Sequence, residues 1–308
     1  MATVATRVNS TTVHKFKLLA LRLRFRLGSW LAPTATLRRA DALFCTPFQV
    51  SRRNALGADP QGAVMSMLPF AGERLSLYTW GDPAAQPWVL FSHGWSSHGL
   101  RFAPWVERLR ESGYAAVALD HVAHGRSSGR RATLPDFAAA LRAVGTRFGP
   151  AAAVVGHSLG GAAAMLALAD GLRADRAILV APAADPVDAA RRFSRVVGLA
   201  EFLGARLFDT YEARQPGVIA SLHAHVAAPA IARPALVVHD FGDREVPWAE
   251  GERYARHWPA ARLLTTTGLG HHRILDDERV IDAALRFLGG ECVGERVVST
   301  PNLPYGFA

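Results

Sequence analysis

Cysteine is nearly absent from this chain: Cys45 and Cys292 are the only two among 308 residues. Two thiols are too few for a disulfide framework, so the fold has to rest on a buried core, and a reducing, cytoplasmic setting is expected. Lysine is equally scarce, with Lys15 and Lys17 set against 33 arginines. That ratio reads as a compositional bias of the genome and not as an array of phosphate ligands. There is no internal repeat or low-complexity block. Neither His-Glu-x-x-His nor a paired Cys-x-x-Cys spacing accompanies the twelve histidines, so His121, His124, His223 and His225 are expected to be buried or solvated side chains, and no metal or other cofactor is expected.

Acidic residues are scarce in the first 53 positions, where Asp41 alone stands against ten Lys and Arg and leaves a charge of +9. The remaining residues sum to zero, so the high isoelectric point belongs to a basic N-terminal segment, residues 1–55, and a nucleic-acid-binding surface on the rest of the chain is not expected. Within that segment the apolar run from Phe16 to Leu27 is broken by Arg22, Arg24 and Arg26. It is too charged to span a bilayer or to serve as the apolar core of a secretory signal. Wound as a helix, it puts Lys15, Arg22 and Arg26 on one side and Lys17 and Arg24 nearly opposite. Several readings stay open: a helix lying on an anionic membrane with Phe16, Leu19, Phe25 and Trp30 inserted, a weak targeting segment, packing against the rest of the chain near Phe44 and Phe48, or plain disorder. The favoured expectation is packing of residues 35–53 and peripheral membrane contact through residues 12–32.

What is abundant is apolar residues, half of the composition, enough for one large domain over residues 56–308. Short apolar runs at 76–80, 88–92, 115–120 and 176–181, the run from Ala151 into Gly156-His157-Ser158, the run that follows Pro234, and a mixed one at 261–267, predict strands. They alternate with helical patterns at 101–112, 134–147, 162–168, 249–257 and 278–288. This alternation predicts an α/β fold built on a doubly wound, mostly parallel sheet. Residues 297–308, with two prolines and a glycine, read as an irregular tail.

One strand ends in chemistry. Ala151 to His157 runs into Ser158 within Gly156-His157-Ser158-Leu159-Gly160, and an Ala/Leu-rich helix follows at once. Glycines on either side of the serine allow a sharp strand-to-helix turn, and the helix start offers free N–H groups and positive potential to a developing anion. A serine nucleophile needs a base, an acid to orient the base, and oxyanion donors. The polar turn after the strand ending His239-Asp240 supplies Asp243 as candidate acid, with Asp240 as the alternative. The turn Gly268-Leu269-Gly270-His271-His272 supplies His271 as candidate base, with His272 beside it.

In these residues the chain resembles the serine hydrolases of the α/β-hydrolase superfamily, of the esterase and lipase kind, over residues 75–289. The order Ser158, Asp243, His271 is that family's order of nucleophile, acid and base. The resemblance favours Asp243 over Asp240 and His271 over His272. Phe91-Ser92-His93-Gly94-Trp95 corresponds to the family's strand-ending His-Gly motif and implies that the backbone N–H groups of Trp95 and Leu159 form the oxyanion hole, with His93 and His157 packed beneath. Two positions depart from the pattern: Ala123 replaces the first glycine of the turn after the next strand, which bears on the pocket rim, and Asp240 stands where glycine is frequent. The resemblance further implies a helical cap over about 185–233, whose leucines and phenylalanines suit an apolar acyl or alkyl group. The implied activity is hydrolysis of carboxylic esters, with a small ester or lipid as substrate and no cofactor. Thioester hydrolysis, acyl transfer and carbon–carbon bond hydrolysis use the same three residues, and a non-catalytic membrane-associated binding protein is the reading from outside enzymology.

Overall fold

The computed structural model describes residues 10–297, with side chains from residue 18 onward. Residues 298–308 of the expected irregular tail, and the side chains of Lys15, Phe16 and Lys17, lie outside the described residues. The chain opens with helices α1 (Ser10–Leu31), α2 (Pro33–Phe44) and α3 (Gln49–Gly57). Strands β1 (Val64–Phe70), β2 (Glu73–Trp80) and β3 (Trp88–Ser92) follow, then α4 (Ala103–Glu111), β4 (Ala115–Asp120), α5 (Leu134–Phe148), β5 (Ala151–His157), α6 (Leu159–Ala169) and β6 (Ala174–Val180). Next come α7 (Pro186–Val197) and the short helices α8 (Glu201–Gly204), α9 (Asp209–Arg214), α10 (Val218–Ser221) and α11 (Ala224–Ala227). The chain continues through β7 (Ala235–Asp240), α12 (Trp248–His257), β8 (Ala261–Thr266), α13 (Gly270–Arg273) and α14 (Glu278–Leu288). These elements form two compact units, one of residues up to Cys45 with Pro186–Ile219, the other of Thr46–Asp185 with residues from Ala220 on.

The larger unit is an eight-stranded sheet in the order β1-β2-β4-β3-β5-β6-β7-β8. β1, β2 and β4 pair antiparallel, and every pair from β4 through β3 to β8 is parallel. Central strands buried on both faces read as unbroken apolar runs, and β3 and β4 are buried at every position. Side chains still alternate between faces. Trp88 and Leu90 of β3 join Phe137 and Leu141 of α5, Met165 of α6 and Tyr254 of α12 in one layer. Val89 and Phe91 point the other way and join Trp105 and Leu109 of α4 and Ile281 and Phe287 of α14. Helix starts are fixed locally: Thr133 and Asp136 form a capping box at α5, and the Asp277 carboxylate accepts from the Arg279 and Val280 amides at α14. The expected helix from 101 is a single 3₁₀ turn (Gly99–Phe102) leading into α4, where Pro104 occupies a first-turn position that needs no donor.

Strand β1 is absent from the sequence-based expectation. Its half-buried side carries Ser66, Leu68 and Phe70, of which Leu68 and Phe70 pack on the core, but the exposed side carries Met65 and Met67, so the sequence shows no alternation of apolar and polar residues. Pro69 within it has no N–H to offer. At the other edge a single antiparallel bridge between Leu263 and Glu295 lays the following segment against β8.

The smaller unit has its own core. Phe25 of α1 and Ala40 of α2 pack with Val197, Leu199, Leu203 and Leu207, and the Phe44 ring lies 5.1 Å from Phe193 and 6.1 Å from Phe208. Ser29 Oγ donates to Phe25 O at 2.7 Å and accepts from the Ala200 amide at 3.1 Å, tying α1 to the segment after α7. Two expectations need correction here. Phe25 is only 5% exposed and is a core residue, so it does not insert into a membrane. Phe193, Leu199, Leu203, Leu207 and Phe208 serve the same core, so their apolar character is no evidence of an apolar substrate pocket.

Trp105 links the core to the site edge: its indole N–H donates to Leu275 O at 2.7 Å while its ring packs against Phe91. Trp105→Phe keeps most of the apolar area and removes the donor, leaving a buried carbonyl unpaired. The expected loss of stability is about 1–2 kcal/mol, read as a lower urea midpoint. An unchanged midpoint would show that the bond contributes nothing net.

Candidate active site

Because β3, β5, β7 and β8 run parallel, their C-terminal ends share one edge of the sheet, where open α/β sheets place ligand chemistry. β5 turns into α6 through Ser158, whose φ of 54° and ψ of −121° are rare for a residue with a side chain. Backbone crowding explains the flanking glycines. A Cβ on Gly156 would stand 2.4 Å from Gly160 O, and one on Gly160 would stand 2.2 Å from Ser92 O. The turn is pinned by the Ser158 amide donating to Val180 O (2.9 Å) and by Ser158 O accepting from the Gly161 and Ala162 amides (2.9 and 3.3 Å). Gly94 presses on the serine from the β3 side, where a Cβ would come within 3.0 Å of Ser158 Cβ. Trp95 therefore follows a residue in contact with the serine, and Leu159 opens α6 directly after it.

The turn after β7 carries Asp243. Its Oδ1 accepts from the amides of Glu245 (2.8 Å) and Val246 (3.0 Å), and its Oδ2 lies 2.7 Å from His271 Nδ1. A carboxylate at that distance fixes a proton on Nδ1 and leaves Nε2 as the acceptor nitrogen when the ring is neutral. His239 Nε2 donates to Val246 O at 3.0 Å and stands 3.5 Å from the same Oδ2. Burial alone would raise the Asp243 carboxyl, but His239, His271 and the Val246 amide together bring it well below the usual carboxylate range. His271 sits on α13, is buried, and accepts on its backbone oxygen from His157 Nε2 at 2.9 Å. Ser158 and His271 line the same cavity, of about 370 Å³.

The two alternative residues are placed differently. Asp240 accepts from the Gly242 amide, the Thr266 hydroxyl and the Leu269 amide, each at 2.9 Å. It thus holds together the two turns that carry Asp243 and His271. His272 is exposed and pairs with Glu245 at 2.8 Å.

Beneath the turn after β3 lies a shell of buried imidazoles. His93 Nε2 accepts from the His121 amide (3.1 Å), which leaves Nδ1 to donate to Gly94 O (2.7 Å). His124 Nε2 accepts from the Ser96 amide (3.1 Å), and its Nδ1 donates to Val122 O (2.9 Å). His121 stacks on Phe137 at 3.7 Å. Ala123, where the resemblance leads one to expect glycine, takes a φ of 67°, the left-handed conformation glycine adopts without strain. The departure leaves the turn's path intact at the cost of local strain.

Sequence reasoning did not find α3 as a wall of the cavity. Phe48, Ser51 and Asn54 line it, and α3 is clamped by Arg52, which donates to the carbonyls of Ser127 (2.6 Å), Gly129 (3.1 Å) and Ala123 (3.4 Å). The Phe48 amide donates to Ser96 Oγ at 3.0 Å. Ser97, His98 and Arg101 add a polar side, with Arg101 held by Asp276 at 2.6 and 2.7 Å. No sequence signal links residues 51 and 54 to position 158. Among the described residues no group of three histidine, cysteine or carboxylate side chains is arranged to hold a metal.

The chain is similar to proteins of known name. A family model described as serine aminopeptidase S33 (Hydrolase_4) matches residues 83–231. The pimeloyl-[acyl-carrier protein] methyl ester esterase of Xanthomonas campestris pv. campestris is 30% identical over 245 residues, which cover 66% of this chain and 95% of that protein. The monoacylglycerol lipase of Mycolicibacterium smegmatis is 36% identical over 81 residues, 24% of this chain and 29% of that protein. Among solved structures, a putative lipase from Acinetobacter baumannii AYE superposes with a TM-score of 0.57 at 18% identity, covering 79% of this chain and 94% of that one.

The imidazole shell has a measurable consequence. Burial is the largest cause holding His93, His121, His124 and His157 neutral, aided by neighbouring imidazoles at His93, His121 and His157; His124 is brought down to about 4 and His157 to about 3. The unfolded chain binds protons on these rings below about pH 6.5 while the folded chain does not, so stability is complete above that value and is lost on acidification. Each ring contributes a slope of about 1.4 kcal/mol per pH unit until its folded value is reached. Urea unfolding followed across pH should give a plateau above about pH 7 and a steep fall below about pH 6. A profile flat down to about pH 5 would contradict the burial of these rings as neutral groups.

Proposed function

The chain belongs to the α/β-hydrolase superfamily, and from that premise we propose that it is a serine hydrolase cleaving carboxylic esters that join an apolar acyl or alkyl group to a polar partner. The observation that carries this reading is the constellation at one sheet edge: a strained serine and a buried imidazole lining one cavity, with a carboxylate bonded to the far nitrogen of the ring. In the proposed cycle His271 Nε2 takes the Ser158 proton as Oγ attacks the ester carbonyl. Asp243 keeps the imidazole oriented and stabilises it once protonated. The Trp95 and Leu159 amides receive the oxyanion. His271 then returns the proton to the departing alcohol, and water, activated by the same ring, releases the acid and regenerates the serine.

The mixed lining of the cavity supports a substrate of two characters. Phe48, Trp95 and Leu275 offer apolar surface, while Ser51, Asn54 and Ser97 offer hydrogen-bonding groups. Thioester hydrolysis, acyl transfer and carbon–carbon bond hydrolysis are the neighbouring reactions on the same residues. Cys45 and Cys292 form no disulfide with each other, which accords with the proposed cytoplasmic setting. No helix among the described residues is long and apolar enough to cross a membrane, and the contact proposed through residues 12–32 is peripheral.

Ser158→Ala is expected to abolish turnover of p-nitrophenyl esters and labelling by a fluorophosphonate probe. Asp243→Asn should lower kcat by about 10³–10⁴ by forcing the wrong imidazole tautomer. Substantial turnover by the serine variant would rule out the mechanism. With an ester panel of graded acyl length and product analysis in the presence of added alcohols, free acid as the product would favour hydrolysis, and a new ester would favour acyl transfer.

A further inference from the structure

α1 presents two faces of opposite character. Its inner line, Phe25 and Ser29 with the half-buried Leu21, is held in the smaller unit's core. Its outer line is Leu19, Leu23 and Leu27, spaced by four and thus stacked along one side of the helix, with Trp30 and Leu31 at its end; all five are more than half exposed, Trp30 and Leu31 at 74% and 82%. At 100° per residue, Arg22 and Arg26 flank this stripe on one side and Arg24 on the other. All three are exposed. No aspartate or glutamate occurs anywhere in the helix. The patch continues past it, since the Trp30 ring lies 5.1 Å from Phe202, and Phe202 and Val196 are themselves exposed large hydrophobics.

We propose that this outer face of α1, Leu19–Leu23–Leu27–Trp30–Leu31 between rows of arginine, is a docking surface for the anionic leaflet of a lipid bilayer. Charge complementarity selects the occupant. An apolar stripe bordered by cations and free of acids suits the boundary between acyl chains and anionic headgroups, where arginines reach the phosphates and tryptophan settles at headgroup depth. A second copy of this chain fits poorly, because face-to-face pairing would set arginine rows against each other. The helix is rigidly displayed: a Cβ on Gly28 would stand 2.6 Å from Thr36 Oγ1, and one on Gly198 2.9 Å from Arg22 O, so α1 seats closely on α2 and on the end of α7. This inference deepens the peripheral contact proposed above and is independent of the ester chemistry.

The test is co-sedimentation of the full chain with vesicles of phosphatidylcholine alone or mixed with phosphatidylglycerol. The expected result is binding to the anionic vesicles, weakened by salt and at least about tenfold stronger than to zwitterionic ones. Leu23→Glu with Leu27→Glu should abolish the binding. Replacing Arg22, Arg24 and Arg26 by Gln should lower it by at least about tenfold without touching the apolar stripe. Ser158→Ala should bind as the unaltered protein does, which separates failure of this inference from failure of the hydrolase reading. The circular-dichroism spectrum and urea midpoint of the double Glu variant report whether it folds, and the Gln variant carries the test if it does not. Equal binding to both vesicle types, no binding at all, or a dimer in light scattering that the Gln substitutions leave intact would overturn the proposal.

Discussion

The site depends on a clash avoided only because two positions carry no side chain. The end of β5, the first turn of α6 and the backbone leaving β3 converge so closely that neither Gly156 nor Gly160 has room for a single carbon. That convergence drives Ser158 into a conformation its Cβ disfavours, a cost of order 1–3 kcal/mol. The strain persists because the surroundings over-determine it. β5 lies between β3 and β6 in the middle of the sheet, and the serine's own amide and carbonyl are both engaged. Relaxing the turn would mean breaking those bonds and disturbing the buried end of β5.

Around this turn the protein handles imidazoles in two ways. His93, His121, His124 and His157 are buried without a carboxylate partner and are held neutral, used as shaped, hydrogen-bonding packing units beneath the loops. His271 is buried as well but has Asp243 at 2.7 Å. The difference lies in the neighbours and not in the ring. Asp243 fixes the tautomer and orientation of the imidazole it touches, while for the other four burial is the largest cause of neutrality.

Sequence legibility followed burial. The central strands declare themselves as apolar runs because both their faces are covered, and Gly-x-Ser-x-Gly declares the turn because only glycine tolerates the crowding. β1 escapes notice because its exposed side carries methionines, so apolar residues stand on both faces and the two-residue period is hidden. Asp240 and Asp243 are indistinguishable by type and three residues apart. What separates them is the direction of a turn, which sends one carboxylate to the loop amides of Gly242 and Leu269 and the other to an imidazole. Likewise His271 and His272 differ only in which one the short helix α13 turns inward. The wall built by α3 is illegible for another reason: Ser51 and Asn54 are common polar residues on a short exposed helix, and they are brought to the cavity by long-range bonds, among them Arg52 gripping three carbonyls and the Phe48 amide on Ser96 Oγ. Phe25 was misjudged because a helix sequence reports that it has an apolar side, not which of two apolar sides meets a partner.

The sheet ends differently at its two margins. A bridge from Glu295 to Leu263 takes up hydrogen-bonding capacity on the β8 side, while on the other side β1 carries Pro69, a residue that breaks any continuous row of donors. Neither border offers an approaching strand a full ladder to extend, so a sheet with so apolar an interior is blunted against stacking edge to edge into larger aggregates when the protein is concentrated.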